Sequence, residues 1–549
     1  MNHSSPSRRM PWRTSLLTGA LLLASSVALA NSPVHAAPAA PAPAPAPAPA
    51  AAGSKPSVVK ELQQAKTYTV SSAPTAPLDM ATPKLPDLSG YTEAGVEAKL
   101  KPLRTAAKAK VSVRRMLQED VLKEFIGGDN KMAEWVARQR GIPQAIFVEG
   151  GYANLKDLTK TVPKQYLRET SPGVYLARLP IVVGHKATLE IDKQTQELRL
   201  SQEAGSFIIN DGKLFTSNTK VTGWREKDNG PATFRAPKEF RPFLLSWGGT
   251  ETYIVNTTMA SFGYNQSKSY GVSISQYTPN MVKQMGRDEP TGWIIGSTFS
   301  DMWYGFYCYE AKDFVVKSST YKDNIIYGID PHDRSHGLII ADNDVYGTHK
   351  KHGIIISREV NDSFIINNRT RENKLSGIVL DRNSVGNLVA YNEVYRNHTD
   401  GITLYESGDN LLWGNKVVRN TRHGIRIRNS TNIRLYENVA MANGLTGVYG
   451  HIKDLSDTDR DIRLDPFDAE VSLIVVGGEL TANGSGPLSI DSPLSLELYR
   501  VAMLAPTKSS GITLTGILGE RQTQILDMLV RQKQAVLIDP VETQTELQD

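Results

Sequence analysis

Gly353-Ile354-Ile355-Ile356-Ser357, Gly377-Ile378-Val379-Leu380-Asp381 and Gly401-Ile402-Thr403-Leu404-Tyr405 are three copies of one phrase. The same opening stands at Gly328-Ile329 before them and at Gly424-Ile425 and Gly447-Val448 after them, in steps of 25, 24, 24, 23 and 23 residues. A fixed period in this range belongs to chains built from stacked coils, each too small to bury its apolar side alone. The segments after the glycines are short and rich in Ile, Val and Leu, which suits buried parallel strands. Asn343, Asn368, Asn392, Asn415 and Asn438 return 14 or 15 residues after a repeat glycine. Asparagine tolerates turn geometry and bonds neighbouring backbone, so these five are expected to stack in a structural role. The leucine signature of other solenoids of this period is missing. The expected class is mainly β, a parallel β-helix.

Side chains alternate across a strand. With the glycine counted as zero, positions +1 and +3 carry Phe306/Cys308, Ile329/Pro331, Ile354/Ile356, Ile378/Leu380, Ile402/Leu404 and Ile425/Ile427. These columns are expected inside. Positions +2 and +4 then face outward: Tyr307/Tyr309, Asp330/His332, Ile355/Ser357, Val379/Asp381, Thr403/Tyr405 and Arg426/Arg428. A slip of one residue would expose every isoleucine column, so the register is well specified. Position +5 holds Glu310, Asp333, Arg358, Arg382, Glu406 and Asn429.

One coil breaks the phrase. Ile329-Asp330-Pro331-His332-Asp333 puts a proline and three titratable groups where a plain strand would do. A local rule broken inside a regular array marks a place for chemistry. Coils stack about 4.7–4.9 Å apart, so Arg358 lies one rung from Asp333 and within reach of whatever His332 touches. The outward strip therefore carries an imidazole, a guanidinium, carboxylates and tyrosines, and fits an extended anionic chain lying across the coils. Lys350, Lys351, Arg382, Arg426 and Arg428, with Tyr309 and Tyr405, are the candidate residues for binding further units of such a polymer. His332, His336, His349, His352, His398, His423 and His451 form no metal-ligand spacing, so no metal site is expected. His352 and His423 directly precede repeat glycines, which suggests a structural part.

At the amino end Arg8, Arg9 and Arg13 precede an apolar run from Leu16 to Leu29 that closes in Ala28-Leu29-Ala30. That is a secretory signal, too short for a spanning helix, with Val34-His35-Ala36 as a second cleavage site and an uncleaved anchor as the alternative. Cleavage removes three arginines and no acids, taking the net charge from +5 to +2. So small a charge argues for neither nucleic acid nor a membrane surface as partner. Cys308 is the single cysteine, so an internal disulfide is excluded and the core alone must hold an exported fold. The expected location is the periplasm, without membrane insertion after cleavage.

The expected organisation is a signal peptide over 1–36, an Ala/Pro-rich linker over 37–55, a mixed α/β region over 56–187, the β-helix over 188–507 and a carboxyl-terminal cap over 508–549. Within the mixed region, helical patterns fall at Thr92–Leu100 and at Val113–Phe125 continuing through Met132–Arg140. Strands are expected at Ile146–Val148 and Ile181–Val183, residues 224–247 read as a long insertion, and Gln522–Lys533 reads as a capping helix.

Tyr327-Gly328-Ile329-Asp330-Pro331-His332-Asp333 resembles the motif of the mannuronan C5-epimerases, and most of residues 56–549 resembles the periplasmic members of that family. The resemblance implies a right-handed β-helix that converts mannuronate to guluronate inside alginate, with His332 as base and Arg358 neutralising the sugar carboxylate. It implies that Asp330 and Asp333 orient the imidazole or hold Arg358, and that Tyr327 or a water is the acid on the other face. At position −1 of a regular strand, Tyr327 falls on the inward parity. The resemblance also implies an alginate chain as substrate and neighbours in an alginate export complex. Glycine- and aspartate-rich nonapeptides are missing, so neither calcium nor any cofactor is implied. A uronate polysaccharide lyase shares the first half-reaction, and a non-catalytic scaffold guiding alginate shares the binding strip.

Overall fold

The structure is a computed structural model that describes residues 68–73, 81–118, 120–122, 131–463, 465–504 and 515–541. The signal segment and the Ala/Pro linker expected over 1–36 and 37–55 lie outside them. Among the described residues three sheets of fifteen strands each run along the molecule. The glycine-led strands form one of them, here the site sheet: Tyr304–Tyr309, Tyr327–His332, Ile354–Ser357, Ile378–Asp381, Ile402–Tyr405, Ile425–Arg428 and Thr446–His451, each parallel to the next. Each coil adds one strand to every sheet before returning one rung on, the right-handed parallel β-helix.

The +1 and +3 columns meet inside. Ile329, Ile354, Ile356, Ile378, Leu380, Ile402, Leu404, Ile425 and Ile427 are fully buried in one continuous core. Register follows from the glycine corner. A Cβ on Gly328 would sit 2.3 Å from Val345 Cγ1 and 2.7 Å from the Gly353 carbonyl oxygen, so the chain closes its inner corner only where there is no side chain. The asparagine column stacks as its spacing predicts. Asn368 donates its side-chain amide to the Ile340 carbonyl (2.8 Å) and to Asn392 Oδ1 (3.1 Å), and its backbone N–H also donates to Asn392 Oδ1 (2.9 Å). Asn373, Asn397, Asn420 and Asn443 form a second such ladder at another corner. Both ladders satisfy turn amides that the fold buries.

The ends differ from expectation. The parallel ladder begins at Gln144–Glu149, which already pairs with Ile181–Val183, and not at residue 188. Residues 113–115 belong to a strand, Lys110–Arg115, not to a helix. Val111 and Val113 alternate with polar residues at period two, and the strand lies antiparallel on Gln144–Glu149, where it covers an otherwise open sheet edge. Short 3-10 turns at Met116–Gln118 and Asp120–Leu122 follow, and the later part of that pattern is a helix, Lys131–Gln139. The other expected helix is Glu93–Arg104, capped by Thr92 Oγ1 accepting from the Gly95 N–H at 3.1 Å.

At the far end the expected Gln522–Lys533 helix is a short one, Gln522–Leu526, running into a wider turn over Asp527–Arg531. Beyond it, Ala535–Pro540 pairs antiparallel with Ser495–Tyr499 on one side and with Tyr68–Ala73 on the other. The amino-terminal strand thus closes the carboxyl-terminal edge.

Two stretches cover the outer face of the site sheet. From the early coils and the 224–247 insertion, Phe207, Phe240, Phe243, Trp247 and Tyr277 form a buried cluster of their own. Past the His332 coil, the connection between His451 and Ser472 folds over the later coils. The face between them holds the candidate site. No helix among the described residues is long and apolar enough to cross a membrane.

Candidate active site

Pro331 lacks the N–H that would continue the ladder, and only Ile329↔Ile354 and His332↔Ser357 remain in register with the next coil. The chain then turns at a left-handed residue. The same turn recurs at the +5 position on successive coils, with φ of 37° at Asp333, 63° at Arg358, 52° at Arg382 and 50° at Glu406. This repeated corner carries Asp333, Arg358 and Arg382 on successive rungs.

His332 and Arg358 meet through Asp333. His332 Nδ1 is hydrogen-bonded to Asp333 Oδ2, and Arg358 Nη1 lies 3.8 Å from the other oxygen, Oδ1. The imidazole is partly exposed and tilts against the Tyr307 ring, with centroids 6.1 Å apart. Burial alone would lower the imidazole pKa. The Asp333 hydrogen bond and the charges of Asp330 and Asp333 more than reverse this, and the net shift is upward. Asp333 answers in the other direction: burial would raise its carboxyl, and His332 with Arg358 and Arg334 holds it below the usual range. With Nδ1 engaged, Nε2 is the ring nitrogen left to exchange a proton.

Asp330 is on the outer side of the strand, as the parity requires, but it is not on an open surface. It is 2% exposed, and Oδ1 has no hydrogen-bond partner. Its +2 neighbours Tyr307, Ile355 and Val379 are buried in an outer cluster together with Tyr270, Trp303 and Tyr327. Burial pushes the Asp330 carboxyl up to about 7, against the pull of His332 and Lys351. The expectation of an exposed +2 column fails because the large rings beside it roof it over.

Tyr327 is also in that outer cluster and not in the interior. The glycine corner resets the alternation: Gly328 bonds back to the Gly353 carbonyl at 3.0 Å, while Tyr327 pairs with Tyr304 and Ile329 with Phe306. The residue before each glycine therefore faces outward. Tyr270 stacks on Tyr304 (centroids 4.7 Å), Tyr304 meets Tyr327 edge-on (5.1 Å) and Tyr327 stacks on His352 (6.1 Å). This aromatic wall was missed in the sequence, although Tyr270-Gly271, Tyr304-Gly305 and Tyr327-Gly328 repeat it in plain view. His352 and His423 in the same column accept backbone N–H groups of the next coil, from Ser376 at 3.1 Å and Thr446 at 3.4 Å. Burial lowers them to about 3 and about 4, so both are neutral structural acceptors.

The remaining strip residues divide. Lys351 reaches over the Tyr327 ring (5.6 Å to the centroid) beside Asp330; burial lowers its pKa, and Asp330 and Asp381 oppose that. Lys350 lies over the rings of Phe234 and Trp303 at 5.4 and 5.7 Å. Tyr309 accepts from Arg334 at 3.2 Å. The later cations are held by carboxylates of the protein: Arg382 by Asp465 (3.5 Å), Arg426 by Asp400 (3.5 Å) and Arg428 by Glu406 (2.7 Å), with Arg428 also 4.1 Å over the Tyr405 ring. Among the described residues no group of three or more His, Cys, Asp or Glu side chains is arranged to hold a metal.

A family model described as periplasmic copper-binding protein (NosD) matches residues 255–452. A mannuronan C5-epimerase of Pseudomonas putida is 73% identical over 537 residues, covering 98% of this chain and 99% of that protein. One from Pseudomonas syringae pv. tomato is 68% identical with both chains fully covered, and the mannuronan C5-epimerase AlgG of Azotobacter vinelandii is 60% identical over 87% of this chain and 90% of its own. The crystal structure of a periplasmic alginate epimerase AlgG, 71% identical, superposes with a TM-score of 0.76 over 78% of this chain and all of its own.

Proposed function

The chain belongs to the mannuronan C5-epimerases, and from that premise we propose how its residues divide the reaction. The enzyme is an isomerase that converts D-mannuronate to L-guluronate at C5 within polymeric alginate. The hydrogen to be moved is α to a carboxylate. Removing it leaves an electron pair that must spread onto a group already carrying one negative charge, so a cation at that carboxylate comes first. Arg358 supplies it. His332 Nε2 takes the proton from C5, with Asp333 holding Nδ1–H and keeping Nε2 free. The C5–H bond breaks toward the imidazole. It re-forms on the opposite face when water, or Tyr327 from the aromatic wall, delivers a proton there. Asp333 is a positioning residue for both the base and the cation, and the buried Asp330 beside them holds its proton up to about 7, so it adds charge to the site only as that proton leaves. Lys350, Lys351, Arg382, Arg426 and Arg428, with Tyr309 and Tyr405, take further sugar units along the strip.

The observation that carries this reading is the single carboxylate that touches both His332 and Arg358. Proton NMR of polymannuronate after incubation tests it. His332→Asn is expected to lower guluronate formation at least ~10³-fold while polymer binding by calorimetry persists. Retained turnover would remove His332 as base. Viscosity of the polymer is expected to hold during the wild-type reaction, since a lyase outcome would shorten it. The amino-terminal signal, cleaved after Ala30 or Ala36, supports a periplasmic location with no membrane insertion, where other proteins of alginate export are the expected neighbours. Nucleic acid is not a partner in this reading.

A further inference from the structure

The face that holds the candidate site is bounded on one side by a strap. Most coils turn from the site sheet to the next within a few residues, from Tyr405 to Leu411 or from Arg428 to Ile433. The coil after His451 takes until Ser472. The base of this strap is pinned by a reciprocal pair: Asn429 donates to the Lys453 carbonyl and accepts from the Lys453 N–H, both at 2.7 Å. Leu455 and Ala469, near its two ends, are themselves buried. Its tip folds back over the outer face. There Arg460, only 8% exposed, donates to Asp465 Oδ1 at 2.7 Å, to the Asp465 carbonyl at 2.6 Å and to the buried carboxylate of Glu406. The other oxygen of Asp465 lies 3.5 Å from Arg382 Nη1. Arg382 occupies the same corner as Arg358, one coil on, since Ser357 and Asp381 pair directly in front of them.

We propose that Asp465 stands in for a substrate carboxylate: it covers Arg382 in the free enzyme and is displaced by the sugar acid next to the one held by Arg358. This rests on the polymer path proposed above. Three features make the exchange feasible. The Asp465–Arg382 contact is single and long, while the Arg460 contacts that hold the strap are short and more numerous, so Asp465 can leave Arg382 without unfolding the strap. Both partners are open to solvent, at 24% and 30% exposure, and pairs of this kind shift equilibria by only about 1.5- to 5-fold. Finally, a neutral polysaccharide has nothing to offer Arg382 in return, so the strap discriminates in favour of uronates as a repulsive element does.

The test uses the full-length protein in the His332→Asn background, which binds without turnover, with calorimetric Kd for a polymannuronate oligomer. Asp465→Asn keeps an oxygen for Arg460 and removes the strap's charge from Arg382, leaving Asp381 of its own strand at 3.8 Å; Kd is expected to fall about threefold. Arg382→Asn, which keeps the left-handed corner (φ 52°), is expected to raise Kd, and in that background Asp465→Asn is expected to bring no gain. If Arg382→Asn weakens binding but Asp465→Asn leaves Kd unchanged or higher, Asp465 is a plain structural anchor and the proposal fails alone. If Arg382→Asn leaves Kd unchanged, the polymer does not pass over this corner, and the path fails together with the proposal.

Discussion

Replacing Arg358 with Asn removes the cation and leaves the corner it sits on. Arg358 has a φ of 63°, and asparagine is among the few residues that adopt this left-handed conformation at little cost, whereas alanine would add strain. The magnitude follows from charge. Abstraction at C5 adds about one unit of negative charge to a carboxylate at salt-bridge distance from the guanidinium, the distance at which Asp333 already lies (3.8 Å). Two unit charges about 4 Å apart interact by ~4 kcal/mol at an effective dielectric of ~20. The side chain is 35% exposed, so solvent screening reduces this to ~2–3 kcal/mol, a loss of roughly 30- to 150-fold in kcat. KM is expected to change less, because the ground-state carboxylate carries one charge fewer. The assay is guluronate formation by proton NMR at several polymer concentrations, with uptake of solvent deuterium at C5 as a second readout and far-UV circular dichroism to confirm the β-helix. A loss of less than about threefold in kcat, with deuterium uptake intact, would remove Arg358 from the transition state.

Three further perturbations separate the carboxylates from the scaffold. His332 must be neutral to act, so activity rises with pH through its pKa. Asp333→Asn removes the hydrogen bond that most raises that pKa, and the acid limb of kcat/KM is expected to move to lower pH with a lower plateau; an unmoved limb would mean that Asp333 does not tune the base. Asp330 holds its proton up to about 7 when folded, against 3.8 unfolded, so stability falls as pH rises between these values. Asp330→Asn is therefore expected to gain ~2–4 kcal/mol relative to the parent on going from pH 4 to pH 8, read by denaturation at both pH values; equal differences at the two would refute a buried, neutral Asp330. Asn392→Leu leaves the Asn368 backbone N–H without its acceptor and takes one hydrogen bond each from the Asn368 side-chain amide, the Ile365 carbonyl and Asn415 Oδ1, and is expected to cost ~3–6 kcal/mol in urea denaturation. A cost below ~1 kcal/mol would mean that the ladder is decorative.

Much of the site was legible because a solenoid turns sequence spacing into spatial adjacency. Once Gly328, Gly353 and Gly377 set the coil length, Asp333, Arg358 and Arg382 had to share one corner on consecutive rungs. His332 had to face outward wherever Ile329 faced in. The same regularity exposed the Asp330-Pro331-His332 exception. Literal repetition fails at two places. Strict alternation carried through the glycine corner would turn Tyr327 inward, and the corner is what turns it out; alternation also puts Asp330 on a surface that rings from Tyr270, Trp303 and Tyr307 cover.

What the chain alone determined is thus everything that recurs locally: coil length, register, the asparagine ladders and the neighbours along each column. Those depend on contacts between residues about one coil apart, and the period states them directly. Tertiary structure decided what has no period. Tyr68 bonds the carbonyl of Pro493 at the opposite end of the sequence, the 224–247 insertion roofs the early coils, and Arg460 reaches back to Glu406. Such contacts join segments whose separation obeys no repeat, and their docking depends on shape and charge that exist only once the solenoid has formed. They settle how much of the outer face stays open and which of its arginines remain for a sugar acid.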